Sequence, residues 1–153
     1  MEIRLRVFVI LPLLGILILT SACGLLEKQL TVKAEDGTII KAIPAKAGVG
    51  LTIKFIHSVQ KTPVEEDLEF DGESWLVRRT RYKSQGVGLP FMEEDGIFHR
   101  EGEWFVMDEM DRRIERLSLR TGVGTRFTIV LDGEEIKLFE QFEPGTRIDF
   151  VVE

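Results

Sequence analysis

Turn signals recur along this chain at the spacing of β-hairpins, and they limit the folds that it can adopt. Asp-Gly occurs four times and Pro-Gly once, each between segments rich in Val, Ile, Phe and Thr, at residues 36–37, 71–72, 95–96, 132–133 and 144–145. Asp-Gly is a dipeptide that tight hairpin turns prefer. Because an open sheet with so many strands would expose its edges, the pattern predicts an all-β fold, either a small antiparallel β-sandwich or a barrel-like meander.

Short strands are predicted between these turns from apolar alternation and from β-branched and aromatic content. They lie near residues 29–34, 38–43, 50–59, 64–70, 74–83, 97–100, 103–107, 112–119, 126–131, 135–139 and 147–152. The stretch 108–118 is ambiguous. Its residues Met110, Ile114 and Leu117 also fit helical spacing, whereas Leu117 and Leu119 alternate as in a strand.

The first 23 residues have the layout of an export signal. A basic end with two arginines precedes an apolar run over residues 7–19, and the small residues 20–22 lead to Cys23, the only cysteine. Small residues that end in a single cysteine resemble a bacterial lipobox, in which the cysteine becomes the lipidated first residue of the mature protein. We therefore expect a signal peptide over residues 1–23 and lipidation at Cys23.

An uncleaved membrane helix is the alternative to a lipid anchor. Thr20 stands where a lipobox usually has an aliphatic residue, and extension of the apolar run through Leu26 would reach the roughly 20 residues that span a bilayer. Either form predicts a location in the cell envelope, with the chain anchored to the outer face of the cytoplasmic membrane. Residues 24–29 then form a short linker, and residues 30–153 form a single β domain.

Charge and the scarcity of metal-binding side chains exclude several classes of function. After removal of the first 23 residues, 18 basic and 25 acidic residues remain, so the mature chain has a net charge of −7. Such a chain repels polyanions, and we predict no nucleic-acid partner. One cysteine permits no internal disulfide. With His57 and His99 as its histidines, the chain lacks the Cys and His pairs of a zinc site, so neither a metal nor a cofactor is predicted.

Residues 51–82 contain the first candidate site. Alternation places His57 on the same face of its strand as the apolar residues that precede it. Matching apolar residues across the next two strands predicts the rows Ile53–Phe70–Trp75 and Phe55–Leu68–Val77. The following row is then an imidazole, a carboxylate and a guanidinium side by side, His57–Glu66–Arg79.

This polar row has two interpretations. In the first, it is a structural network in which the buried carboxylate of Glu66 is paired with Arg79 and His57. In the second, it is a ligand site, because convergent polar groups at the rim of an apolar surface orient small molecules. We favour the structural network, because a satisfied ion cluster is a common way to terminate a sheet core.

Residues 82–90, with the sequence YKSQGVGLP, form the second candidate segment. Gly88 weakens strand pairing and Pro90 lacks a backbone donor, so the chain leaves the sheet here. The Gly-x-Gly pattern alone is weak support for a phosphate site, because the longer dinucleotide and P-loop patterns are missing. A tight turn or bulge accounts for the two glycines without a ligand.

Together the two segments resemble the signature of a bacterial family known as domain of unknown function 1850. The residues that carry the resemblance are His57-Ser58-Val59, Thr62-Pro63-Val64, Glu66, Tyr82 and Gly86-Val87-Gly88-Leu89-Pro90. The resemblance covers about residues 30–152. It implies a small exported or membrane-anchored protein, often encoded beside the genes of TAXI-type tripartite (TRAP) transporters, with an accessory role near solute uptake and no established activity.

The sequence does not assemble a catalytic constellation. His57 and Ser58 are adjacent on a predicted strand, so they point to opposite faces and cannot act as base and nucleophile. A Gly-x-Ser-x-Gly elbow is missing, and no two carboxylates are singled out for glycoside hydrolysis. His99 and the acidic run 93–95 are interpreted as surface residues rather than as calcium ligands.

Two hypotheses follow from these patterns. The first is a non-catalytic accessory protein, held at the membrane by its lipid or N-terminal helix, whose partner is a transporter subunit or a solute receptor. The alternative is an envelope module that binds a small ligand or a metal in the region of His57 and Glu66. The candidate ligand-binding residues are His57, Ser58, Glu66, Arg79, Tyr82, Gly86, Gly88, Leu89 and Pro90.

Overall fold

The structure, a computed structural model, describes residues 27–86, 88–92 and 95–153. The predicted signal peptide with Cys23, residues 24–26 of the predicted linker, and Glu93 and Glu94 of the acidic run lie outside the described residues. Val87, in the segment 82–90 that we call the glycine loop, lies outside them too. Within the described part of the chain, no helix has both the length and the apolar composition needed to cross a membrane.

The described chain is built almost entirely of strands, as predicted. The elements are β1 Gln29–Ala34, β2 Ile39–Pro44, β3 Val49–Ile56, β4 Pro63–Phe70, β5 Trp75–Tyr82, β6 Ile97–Glu101, β7 Trp104–Asp108, β8 Arg112–Ile114, β9 Leu117–Arg120, β10 Thr128–Leu131, β11 Glu134–Lys137, α1 Leu138–Gln141 and β12 Arg147–Val152. The ambiguous stretch 108–118 forms two short strands separated by a bend, and the end of the strand predicted over 135–139 instead starts the helical turn α1.

The strands form two antiparallel sheets that pack face to face, which confirms the predicted all-β sandwich. The small sheet has the order β2-β1-β12-β9, and the large sheet has the order β11-β10-β3-β4-β5-β7-β6, with β8 paired to β5. Alternate residues of both sheets point inward and share one hydrophobic core. Trp75 of the large sheet meets Phe150 of the small sheet edge to face, with ring centroids 6.1 Å apart.

The predicted register is wrong between β3 and β4. Strand β3 ends at Ile56, which pairs with Pro63, so the turn closes earlier than the predicted strand 50–59 allows. Leu51 therefore pairs with Leu68, and Ile53 pairs with Glu66 instead of Phe70. Hairpin turns fix the register of the strands that they join, and the shift follows from this turn.

The predicted register between β4 and β5 is right at one end and wrong at the other. The pairs Phe70–Trp75 and Leu68–Val77 are present as predicted. A bulge then inserts Arg78 opposite the junction of Asp67 and Leu68, so Glu66 faces Thr80 and not Arg79. The bulge sends Arg79 to the outer face of the large sheet and breaks the predicted His57–Glu66–Arg79 row.

A second hydrophobic cluster lies at the other end of the large sheet. Its buried members are Val64, Tyr82 and Leu89, with Phe55 and Phe105 packed against them. Among the described residues, the small sheet contributes nothing to this cluster, whereas Leu89 comes from the loop that joins β5 to β6. The loop between β5 and β6 therefore covers this end of the large sheet in place of the small sheet.

Candidate functional site

The residues predicted to form one polar row lie in three separate groups. We call them the His57 turn, which is residues 57–62, the Glu66 seam, which is Glu66, Thr80 and Arg112, and the Arg79 cluster, which is Arg79, His99, Glu101 and Asp108. Each group depends on a different local feature of the large sheet, and each has its own geometry.

The His57 turn is organised by the imidazole itself. His57 is 9% exposed, and its Nδ1 accepts hydrogen bonds from the backbone N–H groups of Val59, at 3.3 Å, and Gln60, at 3.1 Å. Because both partners are donors, Nδ1 carries no hydrogen and a neutral ring has its proton on Nε2. The side chain thus ends β3 and shapes the turn. Ser58 is exposed in that turn.

The glycine loop packs against the His57 turn, so the two segments singled out in the sequence do meet. A Cβ added to Gly86 would lie 2.9 Å from Gln60 Cγ and 3.3 Å from His57 Cε1. Gly88 has φ +86°, a conformation that side-chain-bearing residues rarely adopt. Close approach therefore explains the first glycine, and backbone conformation explains the second.

Tyr82 fastens the same loop to the large sheet. Its ring is fully buried and stacks on Phe105 at 5.7 Å, and its hydroxyl donates a 2.5 Å hydrogen bond to the carbonyl oxygen of Pro90. Burial, together with the nearby negative charge of Asp95, raises the pKa of Tyr82. Tyr82 and Pro90 are thus structural partners, and Leu89 between the loop ends is buried in the second cluster.

An apolar cleft opens between the glycine loop and the sheet. It has a volume of about 330 Å³ and is lined by Tyr82, Gln85, Gly86, Leu89 and Phe91. Three large apolar side chains near it remain in contact with solvent. Phe91 is 62% exposed, Met92 is 47% exposed, and Phe98, which stacks on Phe105, is 39% exposed. We call these three residues the apolar rim.

The Glu66 seam separates the two hydrophobic clusters on the inner face of β4. Glu66 follows Val64 of the second cluster and precedes Leu68 of the main core at alternating positions. Among the described residues, it forms an ion pair with Arg112, whose Nη2 lies 3.5 Å from Glu66 Oε1. Burial raises the pKa of Glu66, and the attraction of Arg112 opposes this only in part.

Thr80 adds a second incompletely satisfied group to the seam. It is fully buried opposite Glu66, and within the part of the chain that the structure describes its Oγ1 has no hydrogen-bond partner. The predicted network, in which Arg79 and His57 neutralise Glu66, is therefore wrong in both partners. The partner of Glu66 is instead Arg112, a residue that was not predicted to lie at this site, and the charged atoms are 3.5 Å apart.

The Arg79 cluster lies on the outer face of the large sheet. Arg79 Nη2 donates to Glu101 Oε1 at 2.7 Å, and Arg79 Nε lies 3.1 Å from Asp108 Oδ1 without the alignment of a hydrogen bond. His99 Nε2 lies 3.3 Å from Glu101 Oε1 and 3.5 Å from Asp108 Oδ2. The hydrogen bond with His99, followed by the attraction of Arg79, lowers the pKa of Glu101.

Sequence reasoning placed His99 at the surface and did not connect it with Arg79. A signal was present, because His99 and Glu101 alternate on one strand, and a two-residue turn at Gly102 and Glu103 returns the chain to Asp108 on the next strand. The bulge at Arg78, which no simple alternation predicts, brings Arg79 to the same face.

Comparison with models of protein families gives a match. A family model described as Domain of unknown function (DUF1850) matches residues 51–138, which is more than half of the chain. The matched range contains the His57 turn, the Glu66 seam, the Arg79 cluster and the glycine loop. Comparison with curated proteins and with solved structures found no match.

Proposed function

The chain belongs to the DUF1850 family, and on this premise we propose that it is a non-catalytic module, anchored at the outer face of the cytoplasmic membrane, that docks to a protein component of a TRAP-type solute transporter. The observation that carries the proposal is the apolar rim beside the cleft. Three large apolar side chains remain exposed there: Phe91 lines the cleft, Met92 follows it in the chain, and Phe98 stacks on Phe105 beside the second cluster.

Exposed aromatic and methionine side chains beside a cleft favour binding to a protein. Such residues are enriched at the centres of protein interfaces, where a pocket and its surrounding apolar groups lose water together. Phe98 is held in a stack with Phe105 and Tyr82, so the position of this side chain is already fixed before a partner binds. A preorganised surface loses less conformational entropy when a partner binds.

The polar groups of the site support a structural role better than a catalytic one. His57 Nδ1 is occupied by two backbone donors, so this nitrogen holds the turn instead of deprotonating a nucleophile. Tyr82 is fully buried and bonded to the loop carbonyl. Both side chains fix the loop that presents Phe91.

The proposed anchor favours a partner at the membrane. Strand β1 begins at Gln29, six residues after Cys23. Six residues span at most roughly 20 Å when fully extended. An anchored domain with so short a tether stays close to the bilayer, where transporter subunits and the receptors that dock on them are found.

The test uses the full-length protein in its native membranes, with an affinity tag at its C-terminus. After cross-linking and capture, transporter subunits and solute receptor are quantified by mass spectrometry. The variants Phe91→Ser and Phe98→Ser should reduce their recovery at least tenfold. Val123→Ser is the control, because Val123 is 84% exposed in a different turn, and it should leave recovery unchanged.

Two results would count against the proposal. Recovery of no transporter component by the unaltered protein would refute the association. Equal recovery by the rim variants and by Val123→Ser would refute the apolar rim as the docking surface.

Binding of a small ligand at the Glu66 seam is the second candidate function. It is favoured by one observation, the raised pKa of a carboxylate whose ion-pair partner, Arg112, lies 3.5 Å away. Functional sites commonly keep such incompletely paired groups. Native mass spectrometry of the full-length protein should then show a retained ligand that Glu66→Gln loses. Identical spectra for the two proteins would reject this candidate.

A further inference from the structure

We propose that His99, Glu101 and Asp108 form a binding site for a divalent transition-metal ion of the zinc class, with Arg79 as a positioning residue. The site lies on the outer face of the large sheet, and the proposal is independent of docking at the apolar rim. One imidazole and two carboxylates make a nitrogen and oxygen ligand set that suits zinc and its neighbours among the divalent ions.

The backbone places these three ligands on one face of a single hairpin. His99 and Glu101 alternate along β6, and Asp108 lies on the paired strand β7 opposite Ile97, so it is a diagonal neighbour of His99 on the same face. A two-residue turn joins the strands. At the open end of the hairpin, Gly96 approaches so closely that an added Cβ would lie 2.3 Å from the Asp108 carbonyl oxygen. The strand pairing therefore fixes the ligand spacing.

The hydrogen bond between His99 and Glu101 is long, and its length matches the spacing of ligand atoms around a bound metal ion. Charge-assisted hydrogen bonds are usually about 2.7–2.9 Å long. His99 Nε2 lies instead 3.3 Å from Glu101 Oε1 and 3.5 Å from Asp108 Oδ2. A tetrahedral ion with bonds of about 2.0–2.2 Å holds neighbouring ligand atoms roughly 3.3–3.6 Å apart. All three ligands offer atoms within 4.8 Å of one another.

Arg79 orients the two carboxylates from the neighbouring strand. Its guanidinium contacts Glu101 Oε1 and lies beside Asp108 Oδ1, so the second oxygen of Asp108 is turned towards His99. Rotation of the Glu101 carboxylate would give one oxygen to the ion and keep the other on Arg79. Residues that do not bind the metal but hold its ligands in position in this way raise metal affinity.

Charge and access also favour a cation. Two carboxylates and one guanidinium leave one negative charge on the cluster when the imidazole is neutral. The side chains of His99, Glu101 and Asp108 are 38%, 48% and 31% exposed, so an ion can enter from solvent and water can complete its coordination.

The test is a titration of the untagged full-length protein, purified in detergent and stripped with a chelator, with ZnCl₂ by calorimetry and with CoCl₂ by visible absorption. We expect one equivalent of Zn²⁺ to bind and Co²⁺ to give the absorption of a four- or five-coordinate site. His99→Gln and Asp108→Asn should each weaken Zn²⁺ binding at least tenfold. Glu103→Gln should not, because this carboxylate lies in the same hairpin, 83% exposed and paired with Lys83.

Arg79→Lys tests the positioning role. A lysine cannot contact both carboxylates with the planar geometry of a guanidinium, so this variant should bind Zn²⁺ more weakly and shift the Co²⁺ spectrum. Circular dichroism of the stripped variants checks that they remain folded. The proposal is overturned if the unaltered protein binds no stoichiometric Zn²⁺. It is also overturned if His99→Gln and Asp108→Asn, with at least one of them folded, bind Zn²⁺ as the unaltered protein does.

Discussion

Burial of the Glu66 carboxylate between two hydrophobic clusters raises its pKa. The folded protein therefore holds this proton more tightly than the unfolded chain does, and stability falls as pH rises from about 4.5 through the raised pKa. At pH 7 the burial of this carboxyl group therefore lowers stability, so we expect Glu66→Gln to raise the free energy of unfolding by about 0.5–2 kcal/mol. Urea unfolding between pH 4 and pH 8 measures the effect, and the variant should lose this part of the pH dependence.

Glu69→Gln is the matched control for Glu66. It removes a carboxylate from the same strand, one that is 45% exposed and 3.4 Å from Arg78, and it should change stability by less than about 0.5 kcal/mol. The row predicted from the sequence, with Arg79 and His57 around Glu66, would instead give a loss of about 3 kcal/mol for Glu66→Gln. A loss of that size would mean that Glu66 is a paired structural ion after all.

The pKa of Asp71, which lies in the turn between β4 and β5, is shifted in the opposite direction, downwards. Its Oδ1 accepts from the backbone N–H groups of Ser74, at 2.7 Å, and Glu73, at 2.9 Å, and these bonds lower its pKa to about 2. The contribution of Asp71 to stability is therefore present above pH 3.8 and is lost as pH falls towards 2.

This linkage gives a prediction for Asp71→Asn. The variant should be less stable than the unaltered protein at pH 6, and the two unfolding curves in urea should converge near pH 2. Asp132→Asn removes the same charge from another Asp-Gly turn and serves as the control. A difference between Asp71→Asn and the unaltered protein that is the same at pH 2 and pH 6 would show that the charge is not responsible.

At the scale of elements, the close contact between the glycine loop and the His57 turn predicts that a side chain added at Gly86 lowers stability. Gly86→Ala would place a methyl group 2.9 Å from Gln60 Cγ and 3.3 Å from His57 Cε1. The histidine ring is held by two hydrogen bonds, whereas Gln60 is exposed and can move. We therefore expect a loss of about 1 kcal/mol in the free energy of unfolding, at the low end of overpacking effects.

Two further variants make the Gly86 prediction specific. Gly50→Ala adds the same methyl group in open space, so it should cost nothing and isolates the effect of crowding. Gln60→Ala combined with Gly86→Ala should recover part of the loss, because it removes the closest atom. A Gly86→Ala protein as stable as Gly50→Ala would show that the loop yields without cost.

The positions of the strands were predictable from the sequence, whereas their register was not. Alternation and turn dipeptides place β1 at residues 29–34 and β12 near 147–152, as observed, because both signals are local. The turn that His57 closes and the bulge at Arg78 each shift the pairing. Neither the turn nor the bulge can be recognised in the pattern of apolar residues. A one-residue shift in pairing changes which side chains share a face.

The difficulty of predicting register also explains which parts of the candidate site could be predicted from the sequence. The contact between His57 and the Gly86 loop joins two motifs that the sequence had already singled out. The Arg79 cluster combines residues from β5, β6 and β7, so it could be recognised only with the correct order and register of three strands. Long-range pairing of this kind is fixed by the whole sheet and not by any single segment.

At the scale of the whole molecule, the unequal sizes of the two sheets decide where a surface is left for a partner. The small sheet covers the main core, whereas the second cluster lies under the loop between β5 and β6. A loop covers less apolar area than a sheet, and Phe91, Met92 and Phe98 remain exposed at its edge. The outer face of the same sheet carries the Arg79 cluster, so the two proposed sites lie on opposite faces.

The membrane location that we propose for this molecule depends on Cys23, the only thiol of the chain. If the protein is a lipoprotein, Cys23→Ser should leave an uncleaved precursor and abolish labelling by a clickable fatty acid in cells. Labelling should be lost because the chain has no other thiol that can accept the lipid. Ser21→Ala, two residues earlier, keeps the small residues and should label normally. Labelling that survives Cys23→Ser would reject lipidation at Cys23. A protein that is never labelled but stays in the membrane fraction would be held by its uncleaved apolar segment. If that segment extends through Leu26, its tether to β1 is shorter still.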